Sequence, residues 1–176
     1  MVMIRKTSSM RTPGNRFILS VVVLMGVFLF FYREDLLGRW LAPWVDLTVR
    51  VTLAALHLTG IEAARVASQI YHPGGFAYEI YYRCTGIPPA AALAILVISS
   101  AGSARRKIGC LAAGIPALLA LNLIRLVHLF HLGVQGSPAF GPAHDIGWEA
   151  VLIAATLGIW WAWSRRGSRP KPAARP

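Results

Sequence analysis

Residues 108–132 read IGCLAAGIPALLALNLIRLVHLFHL, a long apolar run in which Arg125 is the one formal charge. Such a run reads as a membrane-crossing helix. Three further apolar segments flank it in the sequence. Phe17 to Tyr32, FILSVVVLMGVFLFFY, lies between Arg16 and Arg33. As a helix it covers about 24 Å, and snorkelling of the two arginines can make up the difference from a hydrocarbon core of about 30 Å. The stretch after it, YREDLLGRW, has no small-residue cleavage site, so the segment reads as an uncleaved anchor rather than a signal peptide. Ile87 to Ala101 forms the next segment, within a span of about 85–103. Ile146 to Trp163 forms the last, within about 145–163, and ends in a Trp160, Trp161, Trp163 cluster suited to a membrane interface.

Composition agrees with this reading. The 176 residues have room for one domain; 56% are hydrophobic and only 14% charged, against roughly 25% charged in a soluble domain. Mean hydropathy is +0.54. These values exclude a disordered chain, a soluble nucleic-acid binder and a disulfide-stapled secreted module. Two cysteines are too few for a disulfide scaffold or a four-thiolate zinc site. The expected fold is an all-α integral membrane protein, a bundle of about four transmembrane helices with spans near 17–32, 85–103, 108–132 and 145–163. Residues 41–60 carry Asp46, Arg50 and His57, with Asp46 and Arg50 spaced to pair along one helix face. They predict an amphipathic helix at the interface or packed on the bundle. The alternative is an extra span, for which residues 61–83 offer no apolar partner.

The net charge of +11 is a topology signal rather than a nucleic-acid signal. Basic residues crowd three segments that hold no acid: residues 1–16, the turn with Arg105, Arg106 and Lys107, and the tail 164–176. The positive-inside rule puts all three in the cytoplasm, with anionic lipid headgroups as partners. The tail, rich in Pro and Arg, reads as disordered. Residues 17–163 are then the membrane-embedded domain.

This topology brings three residues to one depth on the outer face. Cys84 stands at the outer start of the second span. Arg125 lies about 26 Å above the inner start of the third. His144 immediately precedes the fourth. A cysteine is often a small buried hydrophobe, which is the better account of Cys110. Cys84 sits among Tyr82, Arg83, Thr85 and Gly86, and Arg83, Arg125 and a helix N-terminus would all favour its thiolate. Arg125 is costly in an apolar span, so it faces a cavity or a partner such as Glu79 or Asp145, or snorkels to headgroups. Asn122 and His128 share its helix flank. Functionally it is a donor to an oxyanion. His144 is a candidate general acid or base, with Asp145 as its orienting neighbour or as a helix cap. His128 and His131 have a spacing that would suit haem or a metal, but no carboxylate or thiolate is placed with them, so no cofactor or metal is expected. Gly74 and Gly75 allow a turn, Phe76 to Tyr82 reads as an extended segment, and Pro88 and Pro89 suit the first turn of the following helix.

Together, Cys84-Thr85-Gly86-Ile87, Asn122-Leu123-Ile124-Arg125 and His144-Asp145-Ile146-Gly147-Trp148 resemble the motifs of the exosortase/archaeosortase family, in order and in membrane position. The resemblance covers roughly residues 17–163. It implies a membrane cysteine protease or transpeptidase with Cys84, Arg125 and His144 as active residues. It also implies an exported substrate with a C-terminal motif, a transmembrane helix and a basic tail, and a bacterial inner membrane as the location. Arg83, Asn122 and Asp145 would support the three. The family's cysteine motif often reads Cys-Ser-Gly; Thr85 keeps the hydroxyl. The short chain resembles compact, exosortase H-like members. The competing readings are a non-catalytic membrane scaffold, and a haem- or metal-binding protein using His128, His131 and His144.

Overall fold

A computed structural model describes residues 13–31 and 34–166. The basic tails at 1–12 and 167–176, and the arginine expected to flank the first span at position 33, lie outside the described residues. Helix α1 (Pro13–Phe31) is followed by α2 (Glu34–Leu58) and three short strands, β1 (Ala64–Val66), β2 (Gln69–Tyr71) and β3 (Ala77–Glu79). A 3-10 turn, Tyr82–Cys84, leads into α3 (Ile87–Ser99) and α4 (Ala104–Val134). A helical turn (Phe140–Pro142) and a π-helical stretch (Ala143–Gly147) then run without a break into α5 (Trp148–Arg166). The protein is an all-α membrane fold carrying one small antiparallel sheet. Large apolar side chains such as Ile18, Val22, Ile153 and Leu157 are exposed, as expected of helices solvated by lipid rather than water.

Trp40–Leu58, Ala104–Val134 and Phe140–Arg166 are long and apolar enough to cross a membrane, while Gly14–Phe30 and Ile87–Ser99 are shorter apolar helices. Two of these findings differ from the spans expected above. The region expected to be amphipathic, 41–60, belongs to a helix apolar on both sides. It buries Val49, Thr52 and Leu56 and exposes Leu47, Val51 and Leu58. Its charges are paired: Asp46 accepts from Arg50 at 2.8 Å and from Arg65 of β1 at 2.6 Å. Second, α3 is much shorter than the expected span of 85–103. The turn at Cys84 and a left-handed Gly86 delay its start, and Ser100 ends it.

The core has two parts. At one end of the bundle Leu93, Val97, Cys110 and Leu118 pack with Ile159, Trp160 and Trp163. Lipid is as apolar as these side chains, so close packing rather than water exclusion drives the contact. Gly114 supplies the room, since a Cβ there would meet Leu93 Cδ2 at 2.6 Å. This end is also the cationic one. Arg106 donates to the Trp163 carbonyl at 3.3 Å, Trp163 donates back to the Arg106 carbonyl at 3.1 Å, and Lys107 reaches the Ile98 carbonyl near the end of α3 at 2.7 Å.

The other part joins the sheet to α2 and the C-terminal half of α4. Val49, Leu56, Ile70, Tyr78, Ile80, Leu126 and Phe130 are buried there. The strand pairing sets Ile70 against Tyr78, so both face the helices, as the two-residue strand period demands. Phe76 occupies the space left by Gly133, where a Cβ would overlap its ring. That contact pins the sheet to α4.

Candidate functional site

The motif Cys84-Thr85-Gly86 closes the link from sheet to helix. Cys84 N–H donates to the Tyr81 carbonyl at 2.8 Å, and the Thr85 hydroxyl donates to the Tyr82 carbonyl at 2.6 Å. A serine would make the same bond, so Thr85 preserves what the hydroxyl does. Gly86 precedes α3 with φ of +80°, and a Cβ there would sit 3.0 Å from Leu119 Cδ2. Both the left-handed backbone and the close approach of α4 require glycine. Gly86→Ala is therefore expected to lower stability by about 1–2 kcal/mol or more, read as a lower melting temperature in detergent. An unchanged melt would refute this account of the turn.

Asn122 locks the turn from α4. Its Nδ2 donates to the Cys84 carbonyl at 2.8 Å, while its Oδ1 is buried with no partner among the described residues. The sequence reading gave Asn122 to Arg125; its hydrogen bond goes instead to the cysteine turn. Trp44 of α2 donates to the Thr85 carbonyl at 3.3 Å. Between α2 and α4 a cavity of about 230 Å³ opens beside this turn, lined by Trp44, Val51, Thr85, Leu119, Asn122 and Leu126.

Arg125 is only 4% exposed. Its Nη2 lies 2.9 Å from Glu149 Oε1 on α5, and its Nε is buried without a partner among the described residues. The partner is neither Glu79 nor Asp145. Glu79 is engaged by Tyr81 and Ser68, and Asp145 accepts from His144 Nδ1 at 2.8 Å. Asp145 lies within the continuous helical run and caps nothing. The His144–Asp145 bond fixes Nδ1 as the donor and leaves Nε2 to exchange protons. His144 stacks on Phe140 at 5.9 Å, and Phe140 meets Tyr78 edge-on at 6.4 Å.

Tyr78 was not foreseen in the sequence. It is 8% exposed, and its hydroxyl has no well-formed hydrogen bond among the described residues. The phenol lies against Cys84 and within the field of Arg125. Burial pushes its pKa well up and the neighbouring thiol adds to this, with Arg125 opposing. The phenol therefore stays protonated. Tyr78 thus lies against Cys84 and feels the charge of Arg125, while the Phe140 ring stands between Tyr78 and His144. Arg83 stays at the turn, its Nε donating to Tyr82 Oη at 3.1 Å. His128 accepts from Trp148 Nε1 at 3.0 Å, and His131 Nδ1 bonds the Val127 carbonyl at 2.9 Å. Among the described residues no three His, Cys, Asp or Glu side chains are grouped to hold a metal. Both cysteines are free.

Residues 12–165 match the family described as transmembrane exosortase. The chain belongs to the transmembrane exosortase family. No curated protein and no solved structure matches it. Exosortases are membrane proteins of the sorting-signal processing type, in general cysteine peptidases or transpeptidases that act on exported proteins with C-terminal sorting signals. In this exosortase-family chain, Glu149 was the second partner missed in the sequence. A signal was present: Arg125 is the one formal charge in 108–132, and Glu149 is the one in 146–163. Two apolar helices with single, opposite charges are best satisfied by pairing them.

Proposed function

We propose that this exosortase-family protein is a membrane-embedded cysteine protease or transpeptidase that cleaves C-terminal sorting signals through a thioester on Cys84. The observation that supports the reading is the burial, without a well-formed hydrogen bond among the described residues, of Tyr78 O–H against Cys84, and of the Nε–H of Arg125, whose charge reaches the same phenol. Donors kept dry and unspent are what a developing oxyanion or thiolate needs. Cys84 Sγ, its proton passed to His144 Nε2, attacks the scissile carbonyl carbon, and Arg125 stabilises the oxyanion. The C–N bond then breaks, and His144 Nε2 delivers a proton to the leaving amine. Water or a surface amine, deprotonated by His144, next attacks the thioester and releases the thiol. An apolar residue beside the scissile bond would enter the cavity between α2 and α4. Asp145 orients His144, and Arg83 adds positive potential at the turn.

The cationic end with Arg105, Arg106, Arg165 and Arg166 supports an orientation with both termini in the cytoplasm of a bacterial inner membrane and the cysteine turn on the outer face. On this reading the partners are membrane lipids and an exported protein with a C-terminal motif, helix and basic tail.

The test is co-expression with several candidate substrates of that architecture, their size followed by blot and the new C-terminus by mass spectrometry. Added hydroxylamine should intercept the thioester as a C-terminal hydroxamate. His144→Ala is expected to slow processing by about 10²–10⁴-fold; unaltered processing would remove His144 from the mechanism. The Arg125–Glu149 pair also favours a second reading, a non-catalytic scaffold in which Arg125 merely joins two helices. Full biological function in a Cys84→Ala strain would select it.

A further inference from the structure

We propose that Tyr78 is a positioning residue for the nucleophile, its phenol donating a hydrogen bond to the Cys84 thiolate and holding the sulfur between β3 and α4. This rests on the reading of Cys84 as nucleophile. Four observations lead to it. Tyr78 is 8% exposed, yet its hydroxyl lacks a well-formed partner among the described residues. An unspent buried hydroxyl costs stability, so it is tolerated where it has work in another state. The one nucleophilic group against it is Cys84, itself packed on the cluster that contains Tyr78. The ring is held from three sides: by its strand pairing to Ile70, by burial among Ile80 and Leu126, and by the edge of Phe140. A phenol so fixed does not swing to water, and its hydroxyl position is set by β3 and by the side chains packed on its ring. Burial keeps its proton in place, so it donates rather than competes as a second anion.

The charged and titratable groups around Cys84 come from several elements. Arg83 lies on its own turn, Arg125 with Glu149 on α4 and α5, and His144 with Asp145 across Phe140. From α2 come Trp44, Val45 and Val49, which do not titrate, and Asp46, which shares a cavity with Tyr81 and Tyr82 and is engaged by Arg50 and Arg65. Arg125 supplies long-range positive potential. Tyr78 supplies a directional bond, which also excludes a second rotamer of the thiolate.

The experiment needs no substrate, so its failure is separable from failure of the protease reading. Full-length protein in detergent, with Cys110→Ala to leave one thiol, is alkylated with iodoacetamide from pH 5 to 10. The thiolate displaces iodide, and the rate against pH gives the midpoint for Cys84. Tyr78→Phe should move that midpoint up by about one pH unit and slow alkylation at pH 7 by up to about tenfold. Tyr71→Phe, an exposed tyrosine on the adjacent strand, should leave the midpoint where it was. Where Tyr78→Phe fails to fold, 3-fluorotyrosine placed at position 78 alone keeps the shape and sharpens the donor. It should move the midpoint down. A midpoint unmoved in either protein overturns the role of Tyr78, even where processing still depends on Cys84. Processing indifferent to Cys84→Ala overturns the nucleophile reading instead.

Discussion

Cys84→Ala is expected to abolish substrate shortening, with the variant still inserted in the membrane at wild-type level. The side chain lost is small and partly exposed, and the hydrogen bonds that hold the turn come from backbone atoms and from Trp44, Arg83, Thr85 and Asn122, none from the Cys84 side chain. Stability should therefore change by less than about 1 kcal/mol. Chemistry should fall much further. Without a nucleophile the remaining donors can act only on a direct attack by water, and removal of a nucleophile typically costs a factor of about 10⁶ where it has been measured. On a blot this reads as no product. Cys84→Ser is the sharper control, because it keeps an attacking oxygen of far higher pKa. It should be nearly as inactive as alanine at neutral pH. A Cys84→Ala protein that shortens substrate at the wild-type rate would end the thioester mechanism.

The second large effect is expected at Arg125. Arg125→Ala should lower processing by about 10²–10³-fold, the usual cost of removing one oxyanion donor. Arg125→Lys should recover little, since an ammonium offers a point charge where the guanidinium directs Nη2 to Glu149 and leaves Nε for the substrate. Glu149→Gln separates structure from chemistry. It leaves Arg125 4% exposed with no counter-charge. The cost should lie between the roughly 1 kcal/mol of an exposed pair and the roughly 3–5 kcal/mol of a buried one, because Glu149 itself is 53% exposed. Melting temperature in detergent should fall for Glu149→Gln more than for Arg125→Met, while processing should fall more for Arg125→Met. The opposite order for processing would make Arg125 a structural strut.

What residue order makes legible is depth. A lone cysteine before a glycine, a charge in an apolar run and a histidine before the last apolar segment all fall near one end of the bundle. Hydropathy reports depth, and groups at one depth in a small bundle are candidates for a common site. Depth carries no azimuth, and that explains what was missed. Arg125 has acids near its level at Glu79, Asp145 and Glu149, and only the rotation of α5 selects Glu149. Asn122 is on the flank of Arg125 in sequence, yet the short approach of α4 to Gly86 turns its amide to the cysteine turn. Tyr78 was hidden for a further reason. A strand of three residues has too few alternations to say which face is buried, and an aromatic near headgroups has a ready explanation as part of a membrane belt. In the 41–60 region Asp46 and Arg50 are not separate charges but part of one cluster with Arg65 of β1, of net charge +1.

On the proposed function, the brevity of α3 would set where in the bilayer the reaction takes place. Thirteen residues rise about 20 Å, roughly 10 Å less than the hydrocarbon they stand in. With the tryptophan end seated at one boundary, the thiol would be sunk below the opposite water line, in a local thinning of the membrane or beneath its headgroups. A peptide bond then reaches sulfur only by being lowered to it. α3 is a gauge of depth: a cleavage point tethered a few residues from its own anchor arrives in register, and one carried on a long leash floats above.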